Sequence, residues 1–367
     1  MDRLEELSRI LVDDSAFAVC AGSDAEQRSL WELAVRHSVH VLLAWRIAED
    51  ASDRWHSEWR AASREALAQA TVLEELQRRE LARLAAAFSA VAIPALLLKG
   101  SAWAYTLYTR PLLRPRDDTD VLVSASSRDR AERLLLSLGY EPAVESRMEV
   151  ASAQRHYGRV DEHQVAHPVD LHWRVTNPLV FGDALPFERL WQRSVDGPVP
   201  GARTLCGVDA LLLACLHRLA HHGSESALLW LMDVHLLASS LAPDEWEEFM
   251  REAGRSRLRG VCALSLLRAA EHFTTPIPAH VATWLADACE MPDRVFLGNG
   301  VSPLGVLISD WRAVGTWTDR LRLMKDHVCP PRSYMDARYG PRHPLMLPLL
   351  YGQRTIAGLR RWTKHGR

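Results

Sequence analysis

Three aspartates, Asp117, Asp118 and Asp120, stand directly before the apolar run Val121-Leu122-Val123. Side chains two residues apart in a strand point to the same face, so a strand here would place Asp118 and Asp120 side by side. Two adjacent carboxylates repel each other unless a cation lies between them. Mg²⁺ takes oxygen ligands and is commonly held by one or two carboxylates together with substrate phosphates. The pair therefore predicts a magnesium site.

A third carboxylate lies in the later segment VAHPVDLHWRV. This segment alternates as a half-buried strand does, with Val169 and Leu171 on one face and Asp170 and His172 on the other. If it lies beside the first strand, Asp170 completes a carboxylate triad.

The turn Lys99-Gly100-Ser101 separates the apolar run IPALLL from a predicted helix, AWAYTLY. A glycine turn at a helix N-terminus offers backbone N–H groups and a partial positive charge to a phosphate. A phosphate-binding turn followed by an Asp-x-Asp strand and a later Asp strand suits metal-assisted attack on a nucleoside triphosphate. In such sites two metal ions hold the attacking and the leaving oxygen.

The elements that must position these residues change in character along the chain. The first part is rich in Ala, Leu, Glu and Arg, which favour helix, and it predicts a long amphipathic helix that ends near Val91. Short apolar runs and turns follow, and then helical patterns return. We expect an α+β chain with a helical region at 1–91, an α/β core at 92–200, a helical substrate-side region at 201–296 and a loop-rich tail with a terminal helix at 297–367.

The composition excludes several classes of protein. The chain has 367 residues, 48% of them apolar, and a net charge of -2, which gives no general attraction to nucleic acid or to anionic membranes. Its six cysteines form no CxxC pair, which disfavours a structural zinc site and is typical of reduced thiols in a cytoplasmic protein. The N-terminus lacks the apolar segment of a signal peptide, and no apolar run is long enough to span a membrane.

The segment IPALLLKGSAWAYTLYTRPLLRPRDDTDVLV, together with HPVDLHW at 167–173, resembles the bacterial family of uncharacterised nucleotidyltransferases, within the polymerase-beta-like superfamily. This resemblance implies a small mixed-sheet core flanked by helices. It also implies an enzyme that transfers a nucleoside monophosphate from a triphosphate, such as ATP, to an acceptor, with Mg-dependent release of pyrophosphate. Asp118, Asp120 and Asp170 fall on the catalytic, metal-binding positions of the family.

The same resemblance implies a wider set of contacts. Mg²⁺ or Mn²⁺ would be the cofactor, a nucleoside triphosphate the substrate, and a small molecule, peptide or protein the acceptor. Asp117 departs from the family pattern, because a small residue, often Gly, stands there in other members. The residues expected to contact the nucleotide are Lys99, Gly100, Ser101, Arg114 and His172.

Two other functions stay open. The chain could be a non-catalytic member of the fold that binds a nucleotide or a partner. It could also be a metal-dependent phosphohydrolase, since His217 and His221 are four residues apart in a predicted helix and Asp233 follows. The alternative for that group is a polar contact between the helical region and the core. For His172, hydrogen bonding that orients Asp170 is the alternative to a direct role.

Overall fold

Helices surround a seven-stranded sheet in the computed structural model of this protein. The structure describes residues 3–13, 17, 22–52, 54–143, 152–222, 227–288, 303–329, 332–340 and 346–354. The sheet contains both parallel and antiparallel pairs, and helices precede and follow it along the chain. The predicted α+β fold with helical flanks is therefore confirmed.

The helices before the sheet are α1 (Arg3–Val12), α2 (Asp24–Arg36), α3 (His40–Glu49) and α4 (Ser57–Ala90). The 34 residues of α4 contain neither Gly nor Pro, and most of them are strong helix formers. The helix ends at Ala90, within one residue of the end predicted from the sequence. It packs most extensively against α3.

The seven strands run in the order β3-β4-β5-β2-β1-β7-β6 across the sheet. The central pair β2–β5 is parallel, as is β1–β7, and the other neighbouring pairs are antiparallel. The strands are β1 (Ala95–Leu97), β2 (Thr119–Val123), β3 (Glu141–Pro142), β4 (Gln154–Val160), β5 (Ala166–His172), β6 (Val195–Asp196) and β7 (Arg203–Thr204), and the helices between them are α5 (Gly100–Thr106), α6 (Arg128–Ser137) and α7 (Phe187–Arg193).

Gly139 follows the C-terminal end of α6. Its φ of 81° lies in the left-handed region, which glycine adopts without steric cost. Its N–H donates to Leu136 O and the N–H of Tyr140 donates to Leu135 O, which together form a Schellman motif. This ending turns the chain directly into β3.

Helices follow the sheet, and a further helical stretch occupies 347–354. They are α8 (Gly207–His222), α9 (Leu228–Ser240), α10 (Pro243–Arg255), α11 (Arg259–Phe273), α12 (Ala279–Ala286), α13 (Pro303–Ala313), α14 (Trp317–Val328) and α15 (Arg332–Tyr339). The described residues of the tail, which was expected to be rich in loops, contain α13, α14 and α15. Pro303 begins α13, because proline is tolerated in the first turn of a helix. Most of the predicted terminal helix lies outside the described residues. None of the described helices is both long and apolar enough to cross a membrane.

One hydrophobic core joins the N-terminal helices, the sheet and α8 to α12. A polar cluster under α4 adds to this attachment. Glu80 accepts hydrogen bonds from Arg83 and from Arg159 of β4, both at 2.7 Å, and from Tyr140. Burial alone would raise the pKa of Glu80, but the two arginines outweigh it and lower the pKa to about 2. The carboxylate therefore stays charged and holds α4 against the sheet.

Candidate active site

The strand register brings the predicted acidic residues together on one face of the sheet. Asp120 of β2 lies directly beside Asp170 of β5, and Asp170 lies opposite His156 of β4. In the next row His172 lies opposite Gln154. Because residues two apart share a face, these five side chains occupy one surface.

Asp120 is the most tightly held of the carboxylates. Its Oδ1 lies 2.7 Å from Lys99 Nζ and 2.7 Å from His172 Nε2, and its side chain is almost fully buried. Burial opposes ionisation, but the charge of Lys99 and the hydrogen bond with His172 outweigh it and hold the pKa of Asp120 well below its usual range. Asp120 is therefore a permanent anion.

His172 carries one buried ring nitrogen that has no hydrogen-bond partner among the described residues. Its Nε2 bonds to Asp120, whereas Nδ1 is unpaired. If Nε2 donates to the carboxylate, Nδ1 presents a lone pair. A buried unpaired lone pair on the acidic face favours a cation or a donor at this position.

Asp170 is held by two residues that the sequence reasoning missed. Gln154 Nε2 donates to Asp170 Oδ2 at 2.9 Å, and His156 Nδ1 bonds to Oδ1. Both residues lie in β4, and the period of two of a strand places them on one face. That face becomes part of the site only through the antiparallel pairing with β5.

Asp118 precedes β2 and is partly buried. Burial and the negative charges of Asp120 and Asp170 raise its pKa to about 7. Lys99 lowers it by a smaller amount. Asp117 is exposed and contributes least. Asp118 is therefore a carboxyl group whose ionisation is disfavoured by its surroundings.

The turn before α5 has an unusual backbone at Lys99. With φ 48° and ψ -132°, Lys99 adopts a conformation that glycine normally supplies. The N–H of Ser101 donates to Leu98 O at 3.2 Å and closes the turn. This conformation directs the lysine side chain to Asp120.

Ser101 and Gly100 are both buried, and each has a structural contact. The hydroxyl of Ser101 accepts a hydrogen bond from the N–H of Asp120 at 3.0 Å, which fixes the turn to β2. A Cβ atom at Gly100 would lie 2.9 Å from Arg114 Cζ and 3.2 Å from Arg116 Cβ. Only glycine fits at this position. Phosphate contacts of the turn stay a prediction.

Arg114 is placed away from the surface of the site. It is buried, and its Nη2 lies 2.8 Å from Asp233 Oδ2 of α9, while Tyr108 donates to Asp233 Oδ1 at 2.8 Å. Nη1 donates to Pro115 O. With its donors engaged in this way, Arg114 holds the helical region against the turn. Contact of Arg114 with a phosphate stays a prediction.

Asp233 therefore provides the polar contact between the helical region and the core. His217 packs edge-on against Trp230, with ring centroids 6.2 Å apart. Asp233 instead pairs with Arg114 and Tyr108, and it lies outside the group of metal-ligating side chains found among the described residues. The arrangement therefore gives no support to a phosphohydrolase centre.

The donor set on the sheet fits a divalent cation. Asp120, Asp170 and His172 each offer a ligand atom, and these atoms lie within 4.8 Å of one another. Among the described residues this is the group of metal-ligating side chains that the geometry brings together. Asp118 is not part of it, although its raised pKa reflects the charges of both carboxylates. A divalent cation would relieve that repulsion.

The family match agrees with this geometry. A family model described as uncharacterised nucleotidyltransferase matches residues 23–274, more than half of the chain. The chain belongs to this family. The matched region runs from α2 to α11, so in the nucleotidyltransferase family unit the acidic face lies between two helical regions. None of the curated proteins compared with the chain matches it.

The strain at Lys99 can be separated from its ion pair by two substitutions. Lys99→Ala and Lys99→Gly both remove the ammonium group, but only glycine adopts the observed conformation without penalty. We expect Lys99→Gly to have a free energy of unfolding about 1 to 2 kcal/mol larger than that of Lys99→Ala, measured by urea denaturation. Ala102→Gly in α5 is the control and should cost about 1 kcal/mol. Equal stability of the two Lys99 variants would contradict the assigned backbone strain.

The Arg114–Asp233 pair should behave as a buried ion pair. Asp233→Leu leaves Arg114 buried without its partner, and we expect a loss of about 3 to 5 kcal/mol in the free energy of unfolding. The double variant Arg114→Met/Asp233→Leu should recover most of this loss, because it leaves no unpaired charge. Ser239→Leu, on the exposed side of α9, is the control. A double variant as unstable as Asp233→Leu would show that the pair does not act as a unit.

Proposed function

We propose that the protein transfers a nucleoside monophosphate from a nucleoside triphosphate to an acceptor and releases pyrophosphate. The observation that carries this proposal is the register of β2 and β5, which sets Asp120 directly beside Asp170. Asp118 stands close enough for both charges to raise its pKa. Asp120 and Asp170 meet with His172 in one group of possible metal ligands, and this arrangement supports the chemistry implied by the family.

Asp118, Asp120 and Asp170 would hold Mg²⁺ or Mn²⁺. When bound, the ions neutralise the triphosphate and polarise the α-phosphate. His172 fixes the orientation of Asp120 through its Nε2. Residues that hydrogen-bond to a metal ligand commonly orient it in this way. Lys99 provides a positive charge beside the carboxylates, where we expect it to contact the triphosphate.

The proton of the acceptor needs a base. As the acceptor oxygen or nitrogen forms its bond to the α-phosphorus, the bond from the α-phosphorus to the bridging oxygen breaks and pyrophosphate leaves. We assign Asp170 as the group that takes the acceptor proton. Gln154 and His156 hold the two oxygens of Asp170 in place, so both are positioning residues.

Backbone and buried residues complete the site. Gly100 permits close approach of the turn, and Ser101 ties the turn to β2. Arg114 supports the same turn from behind through its contact with Asp233. These residues set the distance between the turn and the carboxylates, which determines how a triphosphate is aligned.

Labelled nucleotides test the proposal. The full chain is incubated with each α-³²P-labelled triphosphate, Mg²⁺ and fractionated cell extract, and labelled product and pyrophosphate are measured. We expect transfer by the wild type and losses of at least about a hundredfold in Asp120→Asn and Asp170→Asn. His156→Phe should lose about 10- to 100-fold, because Asp170 then lacks one of its supports.

Asp129→Asn serves as the matched control, since Asp129 is an exposed carboxylate in the first turn of α6 and does not belong to the acidic face. It should retain transfer. Nucleotide binding without labelled product in any fraction would contradict the proposal and favour a non-catalytic, nucleotide-binding protein. Equal product from wild type and Asp120→Asn would exclude the acidic face as the site.

The raised pKa of Asp118 predicts a pH dependence of metal binding. Below pH 7 a proton on Asp118 competes with the cation, so the affinity for Mg²⁺ should rise about tenfold per pH unit up to about pH 7 and then level off. Isothermal titration calorimetry between pH 5.5 and 8.5 measures the affinity for Mg²⁺. Asp118→Asn should flatten this dependence and Asp117→Asn should not. The same dependence of Mg²⁺ affinity on pH in the wild type and in both variants would show that Asp118 is not the competing group.

A further inference from the structure

A cavity of about 490 Å³ lies between the N-terminal helices and the segment that leads into β2. Its walls come from α2, α3 and α4 and from residues 112–117. This volume is in the range of small-molecule sites. We refer to it as the α4 cavity.

The α4 cavity adjoins the acidic face. Arg114 and Arg116 line it, and the same two residues pack against Gly100 on their other side. Asp117 also lines it and directly precedes Asp118. The cavity therefore reaches the residue that immediately precedes Asp118.

The lining of the cavity carries an excess of negative charge. The two cations are already neutralised, Arg116 by Glu74 at 2.6 Å and Arg114 by Asp233. Glu65 and Asp117 are the remaining ionised groups of the lining, and both are exposed. The cavity therefore attracts a cationic ligand.

Two lining side chains also carry an unused polar atom. Glu74 Oε1 and His40 Nδ1 are buried and have no hydrogen-bond partner among the described residues. Burial lowers the pKa of His40, so its ring is neutral at pH 7 and does not repel a cation. Trp31, which packs edge-on against His40, adds an aromatic surface of the kind that contacts organic cations.

We infer that the α4 cavity binds the acceptor of the transfer reaction, and that this acceptor is a small molecule bearing an ammonium or guanidinium group. The inference rests on the proposed function only in identifying the ligand as the acceptor. The cavity and its charge do not depend on catalysis. A donor group of the ligand would approach the exposed carboxylates of Glu65 and Asp117. Its reactive hydroxyl or amine would lie at the end beside Asp118.

Calorimetry with the full chain tests binding without nucleotide or metal. Spermidine is the cationic probe, and triethylene glycol and glutarate are the neutral and anionic probes. We expect spermidine to bind and the other two to bind at least about tenfold more weakly. Glu65→Gln should weaken spermidine about two- to fivefold, as expected for one exposed charge pair.

A second variant fills the cavity with a larger side chain. Ala66 lines it, so Ala66→Leu should reduce spermidine affinity about tenfold or more, while Ala68→Leu on the exposed side of α4 should not change it. Spermidine binding that is unchanged in both Glu65→Gln and Ala66→Leu would overturn the assignment. This outcome would place the probe on the carboxylates of the sheet.

A transfer assay separates this inference from the function on which it rests. If spermidine binding responds to Ala66→Leu but no nucleotide is transferred to any acceptor, the proposed function fails and the cation site stands. If transfer occurs to a neutral or anionic acceptor and Ala66→Leu leaves its KM unchanged, the function stands and the cavity assignment fails. Labelled cationic product that disappears in Ala66→Leu supports both.

Discussion

Repulsion between carboxylates on one face of the sheet is the constraint on which the site depends. Asp120 and Asp170 lie side by side because β2 and β5 are parallel neighbours in register. Such a pair is stable only with compensation, and Lys99 and His172 provide it for Asp120. Among the described residues Asp118 has no equivalent partner, and burial together with the residual charge of Asp120 and Asp170 raises its pKa. The same residual charge is what makes the face suitable for divalent cations.

The charge of Asp120 is compensated in part by Lys99, whose own backbone conformation is unfavourable. Lys99 reaches Asp120 from a turn whose φ and ψ suit glycine. Strain of this kind persists only when the surrounding structure enforces it. Here the following helix, the hydroxyl of Ser101 and the close packing of Gly100 on Arg114 all fix the turn. The stability of the fold thus maintains a conformation that serves the site.

Much of the central core could be predicted from local patterns. The Asp-x-Asp strand, the alternating strand with Asp170 and the glycine turn depend on periods of two and on turn chemistry, both of which are local in sequence. The roles of Gln154 and His156 could not be predicted, because an antiparallel register decides which residue meets Asp170. The pairing of Arg114 with Asp233, 119 residues apart, is equally invisible to local patterns. The helices of the tail were obscured by Pro303, since proline marks both loops and helix starts.

The buried contact between Arg114 and Asp233 restricts how the two halves of the molecule move. Asp233 belongs to α9, whereas Arg114 supports the turn through Gly100, so a rigid-body rotation of the helices would have to break this contact. The pair thus links α9 mechanically to the turn, because neither group can be displaced without losing its buried partner. A displacement of α9 would therefore be transmitted to the turn and to Lys99, whose ammonium group lies beside Asp120.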